Sequence, residues 1–403
     1  MPLSRHSLLV AATLLVLVPG GAGCDRSRRA PILPRSGTAT QPATLSPMTP
    51  LAEYDGRIEH LLIHSKDGLV AQASKPVYDL LGALRDGTRV TFACDSEAAQ
   101  RETLGRMKQY GYDRRLRIET RRVAGPISVW PRDRFLFGTV RDAGSAYPVC
   151  LIPSIAGLAN EPSRLNERAG AAALLEGMVS QLRIAPTDLV LEGGNVLAST
   201  DRVFIGANVL TENSPPTGDG PAREWLQRTF SPPVTLVSDD AGHVPFVHLD
   251  MYVTVFDARH VLVASPALGA EAMKGADDDS RRELAARLMG HEADVSTPRQ
   301  ERFDEVARRL ADEGFTVTRL PYAECLNGDF IVTYNNVLQE TVDGRRVVYL
   351  PTWRIPALDA AARRAYEVLG AKVRAVDVAP IAHLNGAVRC MANVIERRPD
   401  AQP

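Results

Sequence analysis

Short apolar segments alternate along the chain with segments in which apolar residues recur at helical spacing. The segments "IEHLLIHS" and "RVTFACDS" are predicted as strands, and "AAQRETLGRMKQYG" as a helix that ends at Gly111. The recurring order is strand, strand, helix, strand, which is typical of an α/β protein. No GxGxxG segment opens a helix and no Walker loop occurs, so neither a dinucleotide-binding nor a P-loop unit is predicted.

The same order returns in the second half of the chain. The segments "ERFDEVARRLADEG" and "ALDAAARRAYEVLG" are predicted as helices that end at Gly314 and Gly370, and each is followed by an apolar strand. Between them, "VDGRR" is predicted as a turn that joins two strands. No break in composition interrupts this pattern, so a single folded domain is predicted for residues 55–397, followed by a tail, 398–403.

One apolar segment, "VHLDMYV", carries two titratable side chains two residues apart, His248 and Asp250. In a strand these two side chains point to the same face. The segment is therefore predicted as a strand. It has two interpretations, a strand with one face in solvent or a catalytic pair that lines a cleft.

The N-terminus has the pattern of an export signal. Arg5 precedes an apolar stretch, residues 7–18, and small residues then lead to Cys24. This order resembles a bacterial lipobox, although Gly21 stands where an apolar residue is usual. We predict a signal peptide at 1–24, lipidation of Cys24, and a periplasmic or cell-surface lipoprotein, with simple secretion as the alternative.

Composition adds limits to this prediction. Residues 25–54 are rich in Pro, Ser and Thr without periodicity, which predicts a disordered linker. The 403 residues are 45% hydrophobic and carry a formal net charge of -1, so a globular domain without general attraction to nucleic acid is expected. No second long apolar stretch occurs, so the only predicted membrane contact is the N-terminal lipid.

Four clusters of residues could carry chemistry. They are "SVWPRDRF" with Trp130 and Asp133, "LVLEGGNVL" with Glu192 and Asn195, "HLD", and "HLNGAVRCMANVIER" with Cys390. Each also has an ordinary structural interpretation, respectively a surface ion pair, a hairpin turn, a half-exposed strand and a buried structural cysteine. The other cysteines, Cys94, Cys150 and Cys325, show no CxxC or Cys/His zinc spacing, and their pairing is left open.

Together the four clusters indicate one chemistry. A thiol nucleophile, Cys390, needs a group that transfers protons, and His248 can be that group. The positive charge of Arg389 beside the thiol is expected to favour the thiolate. Two carboxylates, Asp133 and Asp250, suit a planar guanidinium, which they bind through paired hydrogen bonds. This combination suggests attack on a guanidinium carbon.

The segments "WPRD", "LEGGN", "HLD" and "NGAVRCMANV" occur in the order of the motifs of the guanidino-group-modifying superfamily, the penteins, and the chain resembles that superfamily over about residues 55–397. Its members include arginine, agmatine and peptidylarginine deiminases and amidinotransferases. The resemblance implies an α/β propeller of five pseudo-symmetric strand-strand-helix-strand units around a central active site. It implies no cofactor and no metal.

The resemblance also implies roles for single residues. Cys390 corresponds to the nucleophile, His248 to the general acid and base, and Asp250 and Asp133 to the carboxylates that hold the guanidinium. The stretch "TYNNV" resembles "SYxNF" of agmatine deiminases and their peptidylarginine-directed relatives. Four residues are accordingly predicted to bind or support the substrate: Trp130, Glu192, Asn195 and Asn336.

One departure affects the substrate. Agmatine deiminases usually have His before the cysteine, where this chain has Arg389. We therefore predict an exported deiminase that hydrolyses agmatine, arginine or peptidylarginine to a ureido product and ammonia through a Cys thiouronium intermediate. The alternatives are an amidinotransferase, a non-catalytic guanidine-binding lipoprotein, and a metal hydrolase that uses His243, His248 and Asp250.

Overall fold

The computed structural model describes residues 46–66, 70–154, 161–214, 220–238, 244–325, 328 and 330–400. All of them fall within one compact unit, Pro34–Pro403. The predicted signal peptide, Cys24 and most of the predicted linker lie outside the described residues, as does His243.

Strands and helices alternate throughout these residues. The strands are β1 (Met48–Pro50), β2 (Arg57–Ser65), β3 (Arg89–Cys94), β4 (Arg117–Arg122), β5 (Leu136–Asp142), β6 (Ser145–Ser154), β7 (Arg183–Val190), β8 (Val196–Ala198), β9 (Val203–Ile205), β10 (Val234–Leu236), β11 (Val253–Val255), β12 (His260–Ser265), β13 (Thr316–Pro321), β14 (Ala323–Glu324), β15 (Ile331–Val332), β16 (Leu338–Val342), β17 (Arg345–Thr352), β18 (Lys372–Asp377) and β19 (Ala392–Arg398). The helices are α1 (Val70–Ala83), α2 (Glu97–Gln109), α3 (Pro162–Leu175), α4 (Asn208–Asn213), α5 (Gly220–Thr229), α6 (Pro266–Lys274), α7 (Asp278–Arg287), α8 (Thr297–Asp312), α9 (Pro356–Val368) and α10 (Val388–Met391).

Five sheets in the described part of the chain share one strand order. In each, the first strand is antiparallel to the second, and the second is parallel to the third, as in β5-β6-β7 and β16-β17-β18. The orders β8-β9-β10 and β11-β12-β13 follow the same rule. The fifth sheet joins the C-terminal β19 to β2, β3 and β4. This is the strand, strand, helix, strand order expected from the sequence.

Local chemistry explains both kinds of connection. The predicted turn between β16 and β17 has Asp343 and Gly344 at positive φ, which a two-residue hairpin requires. Parallel neighbours need a crossover, and a helix supplies it, such as α9 between β17 and β18. The second strand of a sheet is buried on both faces, since eight of the nine residues of β2 are buried.

The ordered structure extends past both predicted boundaries of the domain. Met48–Pro50 forms β1, antiparallel to β5, although the linker was predicted to continue to residue 54. Met48 is buried, and β1 lies close to Gly138, where an added Cβ would be 2.3 Å from the carbonyl of Thr49. At the other end, Asp400 in the predicted tail pairs with Arg57 at 2.8 Å. Edge pairing and an ion pair therefore add residues to the fold that the sequence analysis placed outside the domain.

In the described part of the chain, no helix combines the length and apolar character needed to cross a membrane. Cys150 and Cys325 are buried free thiols, so neither forms a disulfide among the described residues.

Candidate active site

Apart from Asn336, the candidate residues lie on or directly before four short helical turns, each followed within three residues by the first strand of a different sheet. These turns are Pro131–Asp133 before β5, Gly193–Asn195 before β8, Leu249–Met251 before β11, and Val388–Met391 before β19. The turns contact one another. Because the same position in four sheets brings them together, the four sequence clusters form one site.

The prediction of a strand across "VHLDMYV" is wrong. His248 precedes a 3-10 turn at Leu249–Met251, and strand β11 begins only at Val253. Asn195 explains the turn, because its Oδ1 accepts the backbone N–H of Leu249 at 3.3 Å. The turn residues Leu249, Asp250 and Met251 are all buried. The alternation of buried and exposed side chains that distinguishes a strand from a turn is therefore absent here.

Cys390 is held by Asn336. The Nδ2 of Asn336 donates to the Sγ of Cys390 at 3.1 Å, while its Oδ1 accepts the backbone N–H groups of Arg389 at 2.9 Å and Cys390 at 3.2 Å. Asn336 is fully buried. The structure thus places Asn336, predicted to bind substrate, against the thiol and the turn that carries it.

The environment of Cys390 does not favour the thiolate. Burial raises the pKa of the thiol well above its ordinary value, and the negative charges of Asp250 and Asp133 raise it further. The prediction that Arg389 lowers this pKa is not met, because the Arg389 guanidinium pairs with Asp250 and with Glu53. Without a ligand, the thiol is therefore protonated at neutral pH.

His248 is oriented by Glu192. Its Nε2 lies 2.5 Å from Glu192 Oε2, and its Nδ1 lies 3.8 Å from Asp133 Oδ1. Burial raises the pKa of Glu192, but the charge of His248 and the hydrogen bond to it, with Arg164 and Arg134, hold that pKa well below its usual range. Glu192 is therefore an ionised partner that fixes the imidazole.

Two arginines that the sequence clusters did not single out complete this pair. Arg134 Nη2 lies 2.8 Å from Glu192 Oε1, and Arg164 Nη1 binds the same oxygen. Both arginines are buried. Arg134 lies next to the "WPRD" segment and could have been suspected, whereas Arg164 lies on α3, far from any cluster in sequence.

The paired glycines of "LEGGN" are required because neighbouring groups lie too close to leave room for a side chain. A Cβ on Gly193 would lie 2.0 Å from the carbonyl oxygen of Arg132, and one on Gly194 would lie 2.6 Å from His248 Nδ1. Only glycine lets the turn approach both the neighbouring turn and the imidazole.

We expect Gly194→Ala to lower kcat by about 100-fold, because the added methyl displaces the imidazole of His248 from its bond to Glu192. Gly105→Ala on α2 is the matched control, since its Cβ meets nothing within 4 Å. Steady-state kinetics and thermal unfolding of both variants check this. Equal activity of the two would contradict the assigned position of His248.

Asp133 and Asp250 each present one open carboxylate oxygen. Both are buried, at 3% and 0% exposure, and within the described residues neither Asp133 Oδ1 nor Asp250 Oδ1 accepts a hydrogen bond. The other oxygen of Asp250 binds Arg389 Nη1 at 2.7 Å. Burial raises the pKa of Asp250 despite the opposing charges of Arg389 and His248. Two buried acceptors without donors are costly unless a ligand supplies the donors.

The two remaining predicted residues, Trp130 and Asn195, lie beside this centre. The indole ring of Trp130 lies against the backbone of Gly386, where an added Cβ would be 2.5 Å from the ring. Asn195 is buried and holds the turn before β11, as described above. Trp130 is half-buried, so it can still form a wall of the site, whereas Asn195 contacts protein groups.

One group of side chains could hold a metal ion. The ligand atoms of Asp133, Glu192 and His248 lie within 4.8 Å of one another. Glu192 already gives one oxygen to His248 and the other to Arg134 and Arg164, so an ion would have to displace these partners. The alternative metal set of the sequence analysis includes His243, which lies outside the described residues.

No protein-family model and no curated protein matches the sequence. Solved structures do match the fold. An agmatine deiminase of C. jejuni is 14% identical, with a TM-score of 0.59 over 88% of this chain and 97% of that chain. A cysteine-to-serine variant of that enzyme with substrate bound is 13% identical, with a TM-score of 0.60 over the same shares.

A further match is a candidate arginine deiminase from Porphyromonas gingivalis, at 16% identity and a TM-score of 0.58 over 87% of this chain and 98% of that chain. At these identities the likeness concerns the fold. The chain therefore has the mixed α/β fold found in structures of the pentein guanidino-modifying superfamily.

Proposed function

We propose that this protein is a hydrolase that acts on the C–N bond of a guanidino group, converting it to a ureido group and ammonia. One observation carries the proposal. Within the described residues, two buried carboxylate oxygens near a buried thiol, Asp133 Oδ1 and Asp250 Oδ1, have no hydrogen-bond donor. A guanidinium is planar, cationic and rich in N–H donors, so it satisfies both oxygens at once.

The first half of the reaction depends on the bound cation. A guanidinium between Asp133 and Asp250 offsets the negative charges that raise the pKa of Cys390. The thiol proton passes to solvent, the thiolate attacks the guanidinium carbon, and the protonated imidazole of His248 gives a proton to the departing nitrogen. Ammonia leaves, and the substrate carbon stays bonded to Sγ as a thiouronium.

The second half uses water. His248, held by Glu192, takes a proton from a water molecule that attacks the thiouronium carbon. As the carbon–sulfur bond breaks, the remaining proton of the added water passes to Sγ, which restores the Cys390 thiol, and a ureido product leaves. Substrate and water thus become product and ammonia, with no oxidant or reductant.

We further propose that the five sheets surround this centre as pseudo-symmetric units. The support is that the four turns carrying the site each precede the first strand of a different sheet. The segment with Asn336 stands in the same place before β16 in the remaining sheet.

The test is a substrate panel. Purified protein is incubated with agmatine, arginine and N-acetylarginine amide, and ureido product and ammonia are quantified. Equal amounts of both from at least one compound are expected. Transfer of the amidino group to an added amine instead of water would indicate an amidinotransferase. Binding without any product would indicate a binding protein and would refute the hydrolase.

We expect the Cys390 thiolate to be nearly absent at pH 7 in the free protein and to form only above pH 9, because burial and two carboxylates raise its pKa well above 9.0. Methylguanidinium should shift this titration to lower pH. Thiolate absorbance, taken as the difference between the native protein and Cys390→Ser, measures both curves. A free thiol that titrates near pH 7 would contradict the assigned electrostatics.

We also propose that the protein is exported and anchored by lipid at Cys24. The support is the apolar stretch and the small residues that precede this cysteine in the sequence. Metabolic labelling with palmitate should mark the native chain and not Cys24→Ala. Unlabelled native protein released from the cells would show simple secretion instead.

A further inference from the structure

Glu53 lies outside every sequence cluster, between β1 and β2, yet its carboxylate reaches the candidate active site. Its backbone N–H donates to the carbonyl of Ala198 at 2.9 Å, and its own carbonyl accepts Arg397 Nη2 at 2.7 Å. These two bonds attach Glu53 to β8 and β19. The backbone of Glu53 is therefore held by the backbone of β8 and by a side chain of β19.

The carboxylate of Glu53 binds one edge of the Arg389 guanidinium through both of its oxygens. Arg389 Nη2 donates to Oε1 at 2.7 Å, and Arg389 Nε donates to Oε2 at 3.0 Å. Arg132 Nη2 lies 3.6 Å from the same Oε1. Burial raises the pKa of Glu53, but the charges of Arg389 and Arg132 outweigh burial and lower it, so the carboxylate is ionised.

The remaining donors of Arg389 are also used. Nη1 donates to Asp250 Oδ2 at 2.7 Å and to the carbonyl of Gly193 at 3.4 Å, and Nη2 donates to the carbonyl of Val196 at 2.8 Å. A guanidinium has five N–H groups, and here each has an acceptor. Arg389 thus takes only one oxygen of Asp250, and Asp250 Oδ1 stays open.

We propose that Glu53 is a positioning residue that holds Arg389 to a single oxygen of Asp250 and so reserves Asp250 Oδ1 for the guanidinium of the substrate. This inference rests on the proposed function, since it concerns the same two carboxylates. Glu53 binds the Arg389 guanidinium through both carboxylate oxygens, and it acts on Asp250 through Arg389.

The physical reason lies in the shape of the guanidinium. Its planar fork matches both oxygens of a carboxylate. Without Glu53, two N–H groups of the buried Arg389 lose their acceptor, and Asp250, which Arg389 already contacts through Oδ2, carries a second oxygen that has no hydrogen bond within the described residues. Arg389 then competes with the substrate for Asp250. Only molecules in which Asp250 Oδ1 is not bound by Arg389 can then bind substrate. The apparent Kd rises in inverse proportion to the fraction of such molecules.

The test separates binding from chemistry by using Cys390→Ser as the background. Titration calorimetry measures agmatine, arginine and N-acetylarginine amide, and the tightest of the three is used in every variant. Glu53→Gln keeps the shape and removes the charge, and we expect it to weaken binding by about 10- to 100-fold. Glu53→Asp keeps the charge on a shorter side chain and should weaken binding less.

Glu340→Gln is the matched control, because Glu340 is also buried and accepts the backbone N–H of Ile58 at 2.9 Å and the hydroxyl of Tyr349 at 2.6 Å. It should lower stability without changing affinity. With Cys390 intact, Glu53→Gln should raise KM more than it lowers kcat, a split that general destabilisation does not produce.

The outcomes distinguish the two proposals. If Cys390→Ser binds none of the three compounds, the proposed function fails. If it binds one, and Glu53→Gln and Glu340→Gln bind that compound equally well, the role of Glu53 is overturned. Should Glu53→Gln not fold, Glu53→Asp decides, since affinity equal to that of the Cys390→Ser background would refute the positioning role.

Discussion

Replacing Cys390 by serine is expected to lower turnover of any guanidino substrate by about a thousandfold or more. Serine has nearly the same shape and keeps the contact with Asn336, so the fold and the substrate site should persist. What is lost is a group that becomes anionic when a cation binds beside it. The hydroxyl of serine has a far higher pKa than a thiol, and two nearby carboxylates oppose its ionisation as well.

The control for this prediction is Cys150→Ser. Cys150 is fully buried on β6, where its thiol lies 3.8 Å from the carbonyl of Leu151. Turnover per folded molecule should match that of the native protein. Measured kcat values for the two variants, with agmatine binding as a check of the site, decide the matter. A Cys390→Ser variant that retains turnover would remove the thiol from the mechanism.

We expect both Asp133→Asn and Asp250→Asn to weaken substrate binding, but only Asp250→Asn to lower the free energy of unfolding. Within the described residues, Asp133 Oδ1 is buried without a hydrogen bond, so asparagine there removes a negative charge without breaking a hydrogen bond to that oxygen. Substrate binding should weaken by about 2 kcal/mol, roughly 30-fold. The free energy of unfolding should stay the same or rise, because a buried carboxylate without a donor is costly.

Asp250→Asn should weaken binding and also reduce stability, because it breaks the ion pair with the buried Arg389. The expected loss is about 2 to 4 kcal/mol in the free energy of unfolding. Denaturant unfolding and calorimetric titration of both variants measure the two effects. Equal stability losses in the two variants would contradict the different partners assigned to Asp133 and Asp250.

Much of the site could be predicted because its chemistry lies in short local clusters. Polar groups in an apolar part of the sequence marked five of its residues: Trp130, Asp133, Glu192, His248 and Cys390. The strand, strand, helix, strand order was also visible from hydrophobic spacing and helix-ending glycines. In each case the signal lies within about a dozen residues, which is the range over which periodicity is informative.

The rest depends on contacts between distant segments. Glu53 and Arg164 pair with Arg389 and Glu192 only after the sheets assemble, and nothing beside them in sequence indicates this. Strand β19 pairs with β2, although nearly the whole chain separates them in sequence. The turn at Leu249–Met251 resembled a strand because its residues are all buried, and its cause, Asn195, lies on another turn.

The most direct measurement is intact-protein mass spectrometry of the native chain, quenched with acid during turnover of the best substrate from the panel. A covalent thiouronium on Cys390 predicts an added mass equal to that of the substrate less one ammonia. Peptide mapping should place this mass on Cys390, and Cys390→Ser should lack it. Turnover without an adduct at any quench time, or an adduct on another residue, would contradict thiol attack on the guanidinium carbon.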